Sequence, residues 1–153
     1  MASVIRVTRE FTFEMAHVLD SYDGPCRNVH GHSYRLFVTV SGVPVTESGN
    51  PKNGMVIDFS VLKKIVMEKI VNVFDHSVAV SGDFEKKNGD FLRKAFGNMV
   101  VLGCQPTCEN LVADFAGRII SSLPAGVTLH SLKLYETTKS YAEWYASDNE
   151  TKF

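Results

Sequence analysis

The sequence predicts an α+β chain in which two helices cover one face of an antiparallel sheet. Two stretches repeat apolar residues at steps of three and four, the stripe of an amphipathic helix. Strand-like runs lie around them, in the order strand, strand, helix, strand, helix, strand.

Along the chain, Ser3 to Phe13 alternates as a strand, with Ile5, Val7, Arg9, Phe11 and Phe13 on one face. Ser33 to Ser41 is a second strand, with Tyr34, Leu36, Val38 and Val40 sharing a face. Gly42 to Gly54 is rich in Gly, Pro and Asn and reads as a connection. Met55-Val56-Ile57 adds a short edge piece. Asp58 caps a helix that runs to about Phe74, with Phe59, Leu62, Val66, Ile70 and Val73 as its stripe. Ser77 to Gly97 is polar and lysine-rich, with a short helix over Asp90 to Phe96. Met99 to Leu102 is a short strand. Pro106-Thr107 opens the second helix, with Thr107 as its cap and Leu111, Val112, Phe115, Ile119 and Leu123 as its stripe. Thr128 to Glu136 is the last strand; it sets Leu129, Ser131, Lys133 and Tyr135 opposite Val127, His130, Leu132, Leu134 and Glu136.

At 153 residues the chain fits one domain, 1–153, with a core of its own. A net charge of −1 gives no electrostatic case for nucleic acid or an anionic membrane as partner. No run approaches the roughly 18 apolar residues of a membrane span. The N-terminus lacks the charged, apolar, small-residue order of a signal peptide, so a cytosolic location is expected. Cys26, Cys104 and Cys108 form no disulfide framework and are expected as free thiols.

The chemistry concentrates in Cys26-Arg27-Asn28-Val29-His30-Gly31-His32. Residues i and i+2 of a strand face the same way, so His30 and His32 can aim at one point. His17 ends the earlier strand-like run. Three neutral imidazoles with an open fourth position describe a catalytic zinc site. Cys26 is either a nucleophile or proton carrier, or a fourth ligand that would close the site. Asp75-His76 follows the first helix; by pattern alone it either ends that helix in solvent or pairs for proton transfer. Glu109 by pattern is ordinary helix-start chemistry. Glu136 is less ordinary. It ends an apolar strand on the face of Leu132 and Leu134, where a carboxylate needs a cation or a donor-rich ligand.

Several segments together resemble the 6-pyruvoyl tetrahydropterin synthase family, which includes bacterial 6-carboxy-5,6,7,8-tetrahydropterin synthases of queuosine biosynthesis. They are Phe13…Ala16-His17, Cys26…His30-Gly31-His32, Val56-Ile57-Asp58-Phe59, Phe74-Asp75-His76, Pro106-Thr107-Cys108-Glu109-Asn110-Leu111 and Tyr135-Glu136-Thr137. The short spacing from Cys26 to His30 resembles the bacterial branch. The resemblance implies the tunnelling fold (T-fold): a four-stranded antiparallel sheet with two helices on one face. Trimers close into a barrel, and two trimers stack into a hexamer. It implies zinc held by His17, His30 and His32, and catalysis by Cys26, Asp75 and His76, the last two donated by a neighbouring subunit. Glu136, with Thr107 and Glu109 beside it, would bind the pterin ring. The implied reaction is a zinc-dependent lyase step on 7,8-dihydroneopterin triphosphate. It gives 6-carboxy-5,6,7,8-tetrahydropterin, acetaldehyde and triphosphate. Elimination alone, giving the 6-pyruvoyl product, and a non-catalytic zinc- and pterin-binding oligomer stand as alternatives.

Overall fold

The computed structural model describes residues 2–149. Strands β1 (Ile5–His17) and β2 (His30–Gly42) are joined by a loop containing the 3-10 turn Pro25–Arg27. Then come α1 (Phe59–Val66), a wide π turn Met67–Val71, and the helical turn α2 (Asn72–Phe74). They are followed by β3 (Ser77–Ser81), α3 (Gly82–Ala95), β4 (Met99–Leu102) and α4 (Cys108–Ile120). The described residues close with β5 (Val127–Tyr135), β6 (Tyr141–Tyr145) and the short α5 (Ala146–Asn149).

Among the described residues the sheet has six strands in the order β4-β3-β1-β2-β5-β6. The expected antiparallel core is there: β1 pairs β2, and β2 pairs β5. The expected four-stranded, wholly antiparallel sheet is corrected. β3 runs parallel to β1, and β4 parallel to β3. The α1–α2 segment carries the chain across from β2 before β3, and α3 connects β3 to β4. Such crossovers are what a parallel pairing requires.

Segment 77–97 differs most from expectation. Ser77–Ser81 is a fully buried strand, and α3 is a helix of 14 residues. A run of buried residues has no alternation to read, so no strand is expected in it. Ser81 caps α3 by accepting from the Phe84 N–H. Met55–Ile57 makes no ladder; it is held by a pair of backbone hydrogen bonds between Val45 and the Gly54–Met55 segment. β6 was not expected; it pairs with β5 through a turn closed by Glu136 N–H donating to Ser140 O.

The main core lies between the sheet and the α1–α2 and α4 helices. Both expected caps hold: Asp58 accepts from Ser60 N–H and Thr107 from Asn110 N–H. The α4 stripe of Leu111, Val112, Phe115 and Ile119 is buried, as expected. On α1 the stripe begins at Leu62, since Phe59 is 46% exposed. Beyond Ile70 the π turn adds a residue, which brings Phe74 inward in place of Val73. Phe115 meets the rings of Phe13 and Phe74 edge-on, at 6.0 and 4.9 Å. Truncating it would cost about 3–5 kcal/mol. In β5 the ladder shifts register, with Thr39 opposite Ser131 and Val40 opposite Leu129. His130 is therefore extra, and Leu129 joins Leu132 and Leu134 on the inner face, which corrects the expected alternation. A second, smaller core joins Val18, Val78, Val80 and Leu92, with Phe84 and Phe96 packed against it.

Candidate metal centre and active site

β1 is longer than its clearest alternation suggested, and the extension carries His17 inward. Phe11, Phe13, Met15 and His17 are all buried on one face. His17 stands directly opposite His30 across the β1–β2 ladder. His32 lies two residues further on the same face of β2. One cross-strand pair plus one same-face neighbour bring three imidazoles together. Their ligand atoms lie within 4.8 Å of one another.

The protonation pattern of two of the rings follows from their neighbours. His17 Nδ1 is 2.7 Å from Pro106 O, and His30 Nδ1 is 2.8 Å from Asn28 O. A carbonyl oxygen only accepts, so each Nδ1 carries the hydrogen and each Nε2 presents a lone pair. Those two Nε2 atoms are 3.0 Å apart. Two lone pairs at that distance repel unless a cation lies against both. The backbone carbonyls thus hold the rings in the tautomer that metal ligation needs. Burial pushes the His17 and His32 imidazoles below the ordinary histidine value and outweighs the Glu136 carboxylate, which pulls the other way. The donor set fits a metal ion with a free coordination position. Cys26 does not belong to the close group, so the site is not closed by sulfur.

Next to this centre is a cleft of about 310 Å³ lined by His17, Cys26, Thr107, Glu109 and Glu136, among others. They come from separate local devices, with Thr107 and Glu109 sharing one. Cys26 sits in the 3-10 turn, and its carbonyl accepts from Leu19 N–H. Thr107 and Glu109 come from the start of α4, the same corner whose Pro106 carbonyl holds His17. Glu136 continues the inner face of β5, with Oε1 3.7 Å from His17 Nε2 and 4.0 Å from His32 Nε2. Five of the predicted residues therefore share one cleft, and His30 and His32 adjoin it.

Asp75 and His76 lie elsewhere. Asp75 Oδ1 accepts from the Glu14 N–H at 2.9 Å, and His76 N–H donates to Glu14 O at 2.7 Å. Glu14 alternates to the sheet face opposite the buried His17. His76 lines a different hollow, with Glu14, Gly31, His32 and Ser33, and its side chain is 78% exposed. Its Nδ1 is 3.0 Å from Asp75 Oδ1. The Glu14 amide, then His76, hold the Asp75 carboxyl below the usual carboxylate range. His76 has φ of 56°, a left-handed conformation that costs a side-chain-bearing residue energy and clusters at functional sites.

The expected free thiols are present: Cys104 is exposed and Cys108 is buried, its Sγ donating to Leu134 O. Burial raises the Cys108 thiol to about 12, which keeps it protonated. Sequence reasoning missed Tyr34 as part of the centre. Its fully buried hydroxyl is 3.5 Å from His17 Nδ1. The signal was available, because Tyr34 follows His32 by two on one strand face. Nothing in the sequence pointed to the Pro106 and Asn28 carbonyls.

Residues 6–147 match the model of the 6-pyruvoyl tetrahydropterin synthase family. The chain is 34% identical over 143 residues to the 6-carboxy-5,6,7,8-tetrahydropterin synthase of Haemophilus influenzae, covering 92% of this chain and 99% of that one. It is 31% identical over 140 residues to the enzyme of that name from Synechocystis, covering 92% of each. Among solved structures, an uncharacterized Wolinella succinogenes protein is similar, with a TM-score of 0.73 over 95% of this chain and 99% of that one at 22% identity. The 6-pyruvoyl tetrahydropterin synthase of Caenorhabditis elegans gives 0.65 over 95% and 97% at 24% identity. At those identities the structural likeness speaks to the fold alone. The fold, the three converging histidines and the match over nearly the whole sequence lead to one conclusion: the chain belongs to the 6-pyruvoyl tetrahydropterin synthase family.

Proposed function

We propose that the protein is a zinc-dependent lyase. It converts 7,8-dihydroneopterin triphosphate and one water to 6-carboxy-5,6,7,8-tetrahydropterin, releasing acetaldehyde and triphosphate. The observation that carries the reading is the convergence of three imidazoles beside a cleft that also holds a thiol and a carboxylate. The two relatives described above bear the name of this activity.

His17, His30 and His32 hold the zinc. When bound, the ion supplies Lewis acidity toward a hydroxyl of the substrate side chain. Glu136 accepts from the exocyclic amine and the adjacent ring N–H of the pterin, a bidentate match for one carboxylate. Thr107 and Glu109, on the cleft wall, complete the ring site. Cys26 moves a proton on one side of the substrate side chain. His76 moves one on the other, its Nδ1–H given to Asp75 so that Nε2 is free to accept.

Within one chain His76 does not share the Cys26 cleft, which supports its donation by a neighbouring subunit. Among the described residues the end strands β4 and β6 each have one neighbour in the sheet, so each offers an edge that a second copy can extend. A hexamer of two stacked trimers fits this. Among the described residues no helix is long and apolar enough to cross a membrane. Free thiols suit the reducing cytosol.

The deciding experiment is incubation of the zinc-loaded protein with 7,8-dihydroneopterin triphosphate, with products identified by mass spectrometry. The 6-carboxy product and acetaldehyde are expected. The 6-pyruvoyl product, or binding without turnover, would replace this reading with one of its alternatives.

A further inference from the structure

The loop between β1 and β2 carries Cys26 but has no ladder of its own, so something must hold it over the cleft. Three independent fastenings meet on its first residues. Val18 is buried in the small second core, against Leu92 of α3 and Val78 and Val80 of β3. The Asp20 carboxylate pairs with Lys87 of α3 at 2.9 Å. The Asp20 backbone is gripped on both sides by one amide: Gln105 Nε2 donates to Asp20 O at 2.6 Å, and Asp20 N–H donates to Gln105 Oε1 at 3.2 Å. The loop then closes on itself, because Leu19 N–H donates to the Cys26 carbonyl at 3.1 Å. Gln105 is fixed in turn, since its own carbonyl accepts from Asn110 Nδ2 at 2.9 Å. Asn110 N–H donates to Thr107 Oγ1, so one cluster ties the thiol loop to the start of α4.

We propose that Gln105 is the positioning residue for the Cys26 thiol, and that helix α3 is the bracket completing its hold through Lys87 and the Val18 core. The amide of Gln105 copies the donor–acceptor pair of a neighbouring strand and gives an irregular loop one rung of sheet-like pairing. Without it the Asp20 N–H and C=O turn to water, and the loop opens locally without unfolding the sheet. The loss then falls on the alignment of Cys26 and not on metal ligation or pterin binding. The catalytic consequence rests on Cys26 being the proton carrier; the mechanical one does not.

The test uses Gln105→Met, close in size but unable to pair, on the zinc-loaded protein. Two quantities are read: the rate at which iodoacetamide alkylates Cys26, followed by peptide mass spectrometry, and the steady-state kinetics. Alkylation should rise about threefold or more as the loop opens. kcat should fall about tenfold, with KM changed less than about twofold and zinc content full. Lys87→Met should move both readouts the same way by less, and Lys87→Arg should restore them. It also serves if Gln105→Met does not fold. Wild-type alkylation rates in Gln105→Met, or in Lys87→Met where that variant stands in, would overturn the bracket. So would a kcat loss explained by lost zinc. If Cys26→Ala keeps its activity, the proton-carrier reading falls, while the alkylation rates still decide the bracket.

Discussion

His17 and His30 face each other across the β1–β2 ladder with their Nε2 atoms 3.0 Å apart, and each ring's Nδ1 is tied to a backbone carbonyl. The pair is built in the one tautomer that leaves both lone pairs turned toward a cation. His30→Ala removes one of the three imidazoles and breaks this opposition. The variant should lose zinc and activity together, measured by metal analysis beside turnover. Full zinc occupancy would sink the assignment.

Cys26→Ala should keep zinc and pterin binding but lose product formation by roughly 10²-fold or more, the scale of a general acid or base. Its sulfur is outside the close group of ligand atoms, so the metal has no reason to leave. Loss of zinc along with the thiol would make Cys26 a ligand.

Glu136→Gln should weaken dihydropterin binding by about 2–4 kcal/mol, because the amide keeps one acceptor and turns a donor toward a donor. Zinc content should hold. A fluorescence titration beside the wild type reads the effect, and equal affinities would move the ring anchor to Glu109.

Mixing Cys26→Ala with His76→Ala tests where the relay comes from. If Asp75 and His76 serve a neighbouring subunit, co-refolded oligomers regain activity at about a quarter of their sites. No recovery in verified mixed oligomers would confine the relay to one chain.

Burial holds the His17 and His32 imidazoles below the ordinary 6.5. As pH falls through 6.5 the unfolded chain takes up protons that the fold does not yet accept. Stability is thus full above 6.5 and declines below it, toward the lowered native values. With the metal chelated, the urea midpoint should drop between about pH 7.5 and pH 5.5, and drop less in His32→Gln. Equal drops in both proteins would remove His32 from the linkage.

The sequence by itself determined what is local and periodic. It placed the alternating faces of β1 and β2, the Asp58 and Thr107 caps, the α4 stripe and the same-side aim of His30 and His32, because each depends on neighbours a few residues away. Together with the family resemblance it also named the residues that meet in the cleft. The tertiary structure decided what depends on residues far apart in the chain. It showed buried Ser77–Ser81 as a parallel strand, which has no alternation to betray it. It set the β5 bulge at His130, where a register shift moves Leu129 to the inner face. It brought the Pro106 carbonyl to His17 and the Gln105 amide to Asp20, each across more than eighty residues of chain. And it put Asp75 and His76 beside Glu14, in a different hollow from Cys26, just where β3 begins to pair with β1. Hydrogen bonds and strand registers of that kind are set by how the whole sheet closes on its helices, and no stretch of sequence read alone contains that information.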